Sequence, residues 1–369
     1  MPTRRDYYSF GNHKGILFAM TQTADTSIDL KGLTPREIEQ FCLHKLAQKA
    51  GQGTRVSIWL YRKNTEAFDN MADLNRPLRE LLKRHCTLST LAVEQNRESE
   101  DGTEKLLYRL SDGNAVEGVL IPGPGGRLTL CVSSQVGCAS GCVFCLTGSA
   151  GLVRNLTVSE LVNQVFAAGK LADAPITNIV LMGTGEPLAN YEAVKAFVEI
   201  LTDQYGMGYS PKKVTLSTCG LAPAIERMAE GLNASLAVSL NATTDDVRDR
   251  IMPVNKTYPL ARLMQALRSY CDKTGRTVTI EYVLFNGVND SDDDAARLTT
   301  LLKGLPCMIN VLMFNPYPGT VFKRPDEQRV YAFRNILLKN GFVAVVRNSR
   351  GRDIHAACGQ LRAASSRTS

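Results

Sequence analysis

Three cysteines in one short stretch, Cys138, Cys142 and Cys145, stand at C-x-x-x-C-x-x-C spacing. Thiolates this close in one loop can hold three irons of a cubane cluster, whose usual complement is four cysteines, so the fourth iron stays open to another ligand. Zinc is the main alternative and a cluster that only transfers electrons is another, but zinc would want a fourth donor, and no His or Cys lies at zinc-finger spacing from the triplet. The stretch Gly183-Thr184-Gly185-Glu186 reads by itself as a tight turn at a strand exit, with ligand binding the minority reading. Taken alone, Cys131 and Cys358 read as small buried hydrophobes. Cys42, Cys86, Cys271 and Cys307 read as core or surface thiols, and Cys219 as a packing residue. The four histidines show no ligand spacing, so His355 offers a local contact at most.

Composition narrows the class of protein. With 44% hydrophobic and 21% charged residues, the 369-residue chain is that of a globular enzyme with a large core and a small accessory domain. No apolar stretch is long enough to cross a bilayer or to form a signal-peptide core, which predicts a cytoplasmic location. Ten cysteines in a reducing compartment favour metal binding or catalysis over disulfides. Residues 321–369 hold ten Lys/Arg against three Asp/Glu, which is the whole of the formal net charge of +7. A basic segment of this kind suits a polyanion such as nucleic acid, although solvated charge is also common.

The elements that must position these residues can be read in order. Residues 1–28 read as a flexible leader in which Met20 could be the true start. A helical unit occupies 29–90: Thr34-Pro35-Arg36-Glu37 is a helix start with a reciprocal cap, and Ile38, Phe41, Cys42 and Leu46 form one apolar face. Further apolar stretches follow at Ile58–Tyr61 and Leu78–Leu82. Trp59, Tyr61, Arg62 and Lys63 could stack on and neutralise RNA, though an aromatic on an amphipathic helix is more often core. An antiparallel extension fills 91–127, its turns marked by Asp101-Gly102 and Asp112-Gly113, where both central residues tolerate positive φ. From 128 to 362, strands near 128–134, 178–182, 213–217, 234–240, 278–284 and 308–315 alternate with helical patterns, with a seventh strand near 343–347 and a tail at 363–369. Such units imply a parallel open sheet or partial barrel, whose ligands gather at the carboxyl ends of the strands.

Several runs together carry a family resemblance: CVSSQVGCASGCVFC, GTGEPLANY, VTLSTCG, AVSLNATTDDVRDRIMPVNK, FNPYPG and RGRDIHAACGQL, with WLYRKNTEAFDNMADLNRPLRELLKR towards the N-terminus. The triplet, with Phe144 before its last cysteine, resembles the radical S-adenosylmethionine (SAM) superfamily, and the runs in order resemble its RlmN/Cfr subfamily of RNA adenine methyltransferases. The resemblance implies an α/β fold, a partial (β/α)6 radical SAM barrel with a small N-terminal helical RNA-binding domain and an antiparallel hairpin extension. It implies a 4Fe-4S cluster on Cys138, Cys142 and Cys145, and SAM, two per turnover, with contacts from Gly185, Glu186, Ser217, Ser239, Leu240, Asn241 and Asn315. It also implies that Cys358 carries a methyl group, that Cys131 resolves a covalent RNA adduct and ends disulfide-bonded to Cys358, and that Glu117 accepts a proton. Thr184 and Asn241 depart from the Met and His common at these positions.

The activity so implied is formation of 2-methyladenine in large-subunit rRNA and tRNA, by a monomer served by a reducing partner such as flavodoxin or ferredoxin. Cfr-type methylation at adenine C8 shares every motif. A radical SAM activase would share the triplet but leave Cys131, Cys358 and the basic terminal segment without a role.

Overall fold

The computed structural model describes residues 27–149 and 151–361. Apart from Ser27 and Ile28, the expected leader and tail lie outside them.

The N-terminal helices form where their caps dictate. Thr34 Oγ1 accepts from the Glu37 amide at 3.2 Å while the Glu37 carboxylate accepts from the Thr34 amide at 2.8 Å, opening α1 (Pro35–His44). Helix α2 (Gln52–Tyr61) follows, and α3 (Arg76–His85) starts on Asn75 and carries Lys83, Arg84 and His85 in its last turn, where positive charge suits the helix dipole. Strands β1 (Ile28–Asp29) and β2 (Cys86–Thr87) pair in parallel and bring the two ends of this unit together. The unit is also fixed to the core: the buried Lys31 ammonium donates to Asn163 Oδ1 at 3.1 Å. Tyr61 is a core residue whose hydroxyl donates to the Leu30 and Leu33 carbonyls, and the Trp59 ring is covered by Lys63 at 3.5 Å.

The antiparallel extension consists of β3 (Ala92–Glu98), β4 (Glu104–Arg109) and β5 (Ala115–Gly123). Its turns differ from the sequence expectation. Gly102 and Gly113 have φ of +76° and +83°, whereas Asp101 and Asp112 are not among the positive-φ residues. The Gly102 amide donates to the Ser99 carbonyl at 2.9 Å and the Ser99 amide to the Thr103 carbonyl at 2.8 Å, and Leu110–Asn114 repeats the pattern. These are turns in which glycine alone takes the left-handed position, and the aspartates bind backbone amides of Thr103 and Asn114 instead.

The core strands follow as β6 (Arg127–Cys131), β9 (Asn178–Leu181), β10 (Val214–Thr218), β11 (Ser235–Ser239), β12 (Val278–Leu284), β13 (Cys307–Met313) and β14 (Val343–Arg347). The first ends at Cys131, three residues short of the expected 134, because the chain turns away there. These seven are parallel neighbours, and antiparallel pairing of β5 with β6 joins them to the extension as one ten-stranded sheet. The sheet does not close on itself, with β3 and β14 as its edges, as a partial barrel requires. Helices cross between the strands: α5 (Val158–Leu171), α6 (Tyr191–Thr202), α7 (Ala222–Met228), α8 (Asp245–Ile251), α9 (Leu260–Thr274), α10 (Asp292–Leu301) and α11 (Glu327–Lys339). No helix among the described residues is long and apolar enough to cross a membrane.

One element was not anticipated. Between β6 and α5, β7 (Gln135–Gly137) and β8 (Leu152–Asn155) form a short antiparallel ladder, and the loop they frame carries the cysteine triplet and the single-turn α4 (Leu146–Ser149). Gly137 makes the ladder possible: its φ is +77°, and a Cβ there would stand 1.9 Å from the Gly151 carbonyl oxygen. Gly137→Ala should therefore displace the backbone that frames the loop and cost at least about 1–3 kcal/mol. A thermal melt followed by circular dichroism should show a lowered midpoint, and iron uptake should fall with it; an unchanged midpoint would mean that the ladder yields without cost.

Candidate active site

The triplet loop is anchored on three sides. The Cys138 amide donates to the Gly151 carbonyl at 2.8 Å, the Val143 amide to the Ile251 carbonyl at the end of α8 at 3.1 Å, and the Leu146 amide to the Gly359 carbonyl at 2.8 Å. Phe144 packs on Phe285, just past β12, with ring centroids 5.1 Å apart. The loop thus faces the carboxyl ends of the core strands.

There it forms one wall of a cavity of about 180 Å³. Cys138, Cys142 and Cys145 line it from the loop, Gly185 and Glu186 from beyond β9, Ser217 from β10, Ser239 and Asn241 from the end of β11, and Asn315 from beyond β13. Cys358 lines it from the C-terminal segment. Leu240 does not: alternation along the strand sends its fully buried side chain into the core, while its carbonyl accepts from Arg248 Nε at 3.0 Å. The side chains that face the cavity at this strand end are those of Ser239 and Asn241. Asn241 adopts φ +57°, a conformation that asparagine tolerates better than most side chains, and its Oδ1 accepts the Val283 amide at 2.9 Å.

Glu186 is buried, and both of its oxygens accept backbone amides, Leu188 at 3.0 Å and Cys219 at 2.7 Å. Burial raises its carboxyl despite these donors. Burial likewise pushes the Cys138 thiol up to about 11 and holds Cys142 well above the ordinary thiol range, with the neighbouring thiols adding to the effect on Cys142. Sulfur anions at Cys138 and Cys142 are therefore unfavourable in this pocket without a cationic partner, which is the chemistry that an iron-sulfur cluster supplies to a thiolate set. The bare backbone at Gly183 and Gly185, beside Ser217, Ser239 and Asn315, offers polar groups for a second, organic ligand.

Cys131 and Glu117 lie beside this cavity rather than in it. Val119 on β5 pairs with Cys131, and Glu117 projects from the same face two residues earlier. Residues of the C-terminal segment cover that face, with Ala356 and Leu361 packing on Val119 and Cys131. Burial raises the Cys131 thiol, and the nearby Cys358 raises it further. Cys358 is reached by solvent through the cavity although protein surrounds its sulfur, and burial followed by Glu281 and Cys145 pushes its thiol up to about 11. His355 contributes through its carbonyl, which accepts from Lys105 Nζ at 3.2 Å.

Some site residues were missed in the sequence. Glu281, in the middle of β12, reaches the cavity and accepts from Asn310 Nδ2 at 2.8 Å. Arg248, fully buried under the site, donates to the carbonyls of Ser239, Leu240 and Cys219 and to Asn255 Oδ1. A charged residue within an apolar strand and an arginine in an acidic helix start were the signals available.

Comparison with known proteins agrees with this geometry. The sequence profile of the Radical SAM superfamily matches residues 132–299, and that of the ribosomal RNA large subunit methyltransferase N-terminal domain matches residues 28–88. The dual-specificity RNA methyltransferase RlmN of Syntrophotalea carbinolica is 50% identical over 338 residues, covering 92% of this chain and 90% of that protein. The chain belongs to the RlmN family. A second RlmN, from Geobacter sulfurreducens, is 48% identical over 92% of this chain and 93% of its own length. The fold extends the match: the crystal structure of a radical SAM methyltransferase from Sphaerobacter thermophilus superposes with a TM-score of 0.83 at 43% identity, covering 91% of this chain and all of that one. A 4Fe-4S cluster and SAM are the cofactors of an RlmN, and the donor set fits both.

For the cluster ligands the expected outcome is selective. Cys138→Ala, Cys142→Ala and Cys145→Ala should each abolish incorporation of iron and sulfide after anaerobic reconstitution. Cys219→Ala should retain it, because Cys219 serves the site chiefly through its amide to Glu186, while its buried thiol packs in the core and lies 3.4 Å from Ser140 Oγ. Colorimetric iron and sulfide analysis checks both arms.

Proposed function

We propose that this chain methylates adenine at C2 in large-subunit rRNA and in tRNA, using Cys358 as methyl carrier, Cys131 as resolving thiol and Glu117 as proton acceptor. The observation that carries the reading is one segment with two neighbours: Cys358 lines the cavity of the triplet while the residues flanking it pack on Cys131. The names of the relatives supply the RNA substrate, and the two match in length almost throughout.

When bound at the triplet, SAM supplies a methyl group in one use and, on one-electron reductive cleavage in a second, a 5′-deoxyadenosyl radical. The Cys358 thiolate takes the methyl group by displacement. Its S-methyl carbon then gives up a hydrogen atom to that radical, which leaves as 5′-deoxyadenosine, and bonds to the adenine ring. The resulting adduct radical gives up one electron, for which an oxidised cluster held by Cys138, Cys142 and Cys145 would be the acceptor, so that protein and RNA are joined in a closed-shell adduct. Glu117 takes the ring proton from that adduct, a role that suits a carboxylate set beside Cys131 and backed by Lys105 at 3.4 Å. The Cys131 thiolate attacks the Cys358 sulfur, the bond from that sulfur to the new carbon breaks, the carbon picks up a proton to become the methyl product, and the two cysteines are left as a disulfide. A dithiol reductant must reopen it, and a flavodoxin- or ferredoxin-class donor must supply electrons for SAM cleavage. The reading places the enzyme in the cytoplasm as a monomer.

Cys358→Ala should abolish methyl transfer, whereas Cys131→Ala should accumulate enzyme crosslinked to RNA, visible as a shifted band that ribonuclease collapses. Mass spectrometry of nucleosides from a deletion strain should show loss of 2-methyladenine. Loss of 8-methyladenine with 2-methyladenine intact would instead assign the C8 chemistry, and a fully active, uncrosslinked Cys131→Ala would remove the resolving role.

A further inference from the structure

Lys105 touches both halves of the machinery just described without belonging to either. On the antiparallel extension, Lys105 of β4 pairs with Val119 of β5, and Val119 pairs with Cys131 of β6, so these side chains share one face with Glu117. The segment 351–361 lies on that face, its Ala356 and Leu361 against Val119 and Cys131. Into this contact Lys105 inserts an ammonium group, its side chain only 13% exposed and that of Glu117 only 8%. Nζ stands 3.4 Å from Glu117 Oε1 and donates to the His355 carbonyl at 3.2 Å. His355 holds φ +53°, an uncommon conformation for a residue other than glycine, and it presents this carbonyl to the lysine.

The segment is tied at both ends. Ser99 Oγ donates to Asp353 Oδ1 at 2.5 Å, the Glu100 amide to Asp353 Oδ2 at 3.2 Å, and the Gly351 amide to Asp101 Oδ2 at 3.0 Å. Beyond Cys358, the Leu146 amide donates to the Gly359 carbonyl at 2.8 Å and Thr147 Oγ1 to the Leu361 carbonyl at 2.6 Å. Between these ties, the lysine makes a polar link from the Cys358 segment to the carboxylate of β5. Its ion pair with Glu117 lies between two largely buried side chains, and its bond to the His355 carbonyl lies at the exposed edge of that contact; both are charge-assisted.

We propose that Lys105 is a positioning residue, whose ammonium group holds the Glu117 carboxylate and the His355 carbonyl together so that the proton acceptor and the Cys358 segment are set against Cys131 as one unit. This rests on the roles of Glu117 and Cys358 proposed above, and the test separates the two. In the full chain as isolated, without turnover, hydrogen-deuterium exchange reports the docking of the segment. Lys105→Met should speed exchange at the Gly351 and Ala356 amides about tenfold or more, as expected for loss of a hydrogen bond to a charged group. Peptides from β10 to β12 should stay unchanged, and Lys105→Arg should restore protection. With reconstituted enzyme, Lys105→Met should lower kcat for RNA methylation about tenfold or more while KM for RNA stays within about twofold, and Lys105→Arg should recover much of the loss.

Should Lys105→Met fail to fold, Lys105→Gln, which keeps a polar group in the slot, is read in the same way. Unchanged exchange over 351–361, or exchange that rises equally throughout the core, overturns the proposal. So does a loss that appears only in KM. Activity retained by Cys358→Ala would sink the methyl-carrier reading while leaving the exchange result for Lys105 to stand or fall independently.

Discussion

The arrangement depends on the docking of residues 351–361 across two parts of the chain, the face shared by β5 and β6 and the triplet loop. On one side the segment buries Ala356 and Leu361 against Val119 and Cys131. On the other, the Gly359 and Leu361 carbonyls accept from Leu146 and Thr147 of the triplet loop, while Gln360 Nε2 donates to the Pro316 carbonyl at 3.0 Å. The apolar contact on the first side is a small cluster apart from the main core, and the directional hydrogen bonds on the second fix the register of the segment. This combination suits a segment whose sulfur has to be held in place and also to change partners, since locally ordered structure with little buried apolar surface opens at low free-energy cost.

Beneath the cavity the constraint is of another kind. Parallel strands end with unpaired carbonyls, and a cavity built at those ends leaves them facing inward without water. Arg248 answers three of these, at Ser239, Leu240 and Cys219, from a fully buried position, with Asn255 oriented to it by Asp245 and Asp249. A buried guanidinium is costly unless its donors are engaged, and here the strand ends engage them. Removing it would leave the three carbonyls and Asn255 Oδ1 without the donor that organises them.

What the sequence revealed followed from local rules. The triplet, the capping box at Thr34 and Glu37, and the alternation of strands and helices are read from spacing and residue type, and each stands where expected. The departures come from properties that no local window contains. The β7–β8 ladder is three and four residues long, too short for a periodic signal, and exists because Gly137 combines a left-handed φ with a carbonyl oxygen standing where a Cβ would be. The Asp-Gly turns were read as mirror-image turns, but the flanking strands are joined by a turn that needs only one left-handed residue. Lys105 and Glu281 were passed over because their significance lies in cross-strand register, which only the folded sheet fixes.

Cys131 shows why a mixed sheet suits this site. Its strand pairs in parallel with β9, where Cys131 lies opposite Val180, and antiparallel with β5, where it lies opposite Val119. A purely parallel barrel sends every strand end into one cavity, so a second thiol placed there would compete with the cluster loop for the same space. Reversal of the chain at β5 instead extends the sheet sideways from the first core strand, giving a second surface that adjoins the cavity without opening into it. The Cys358 segment lies across that boundary, with its sulfur on the cavity side and Ala356 and Leu361 on the other. A sulfur placed there can exchange one neighbour for the other through a local shift of its own segment, with no movement of the sheet.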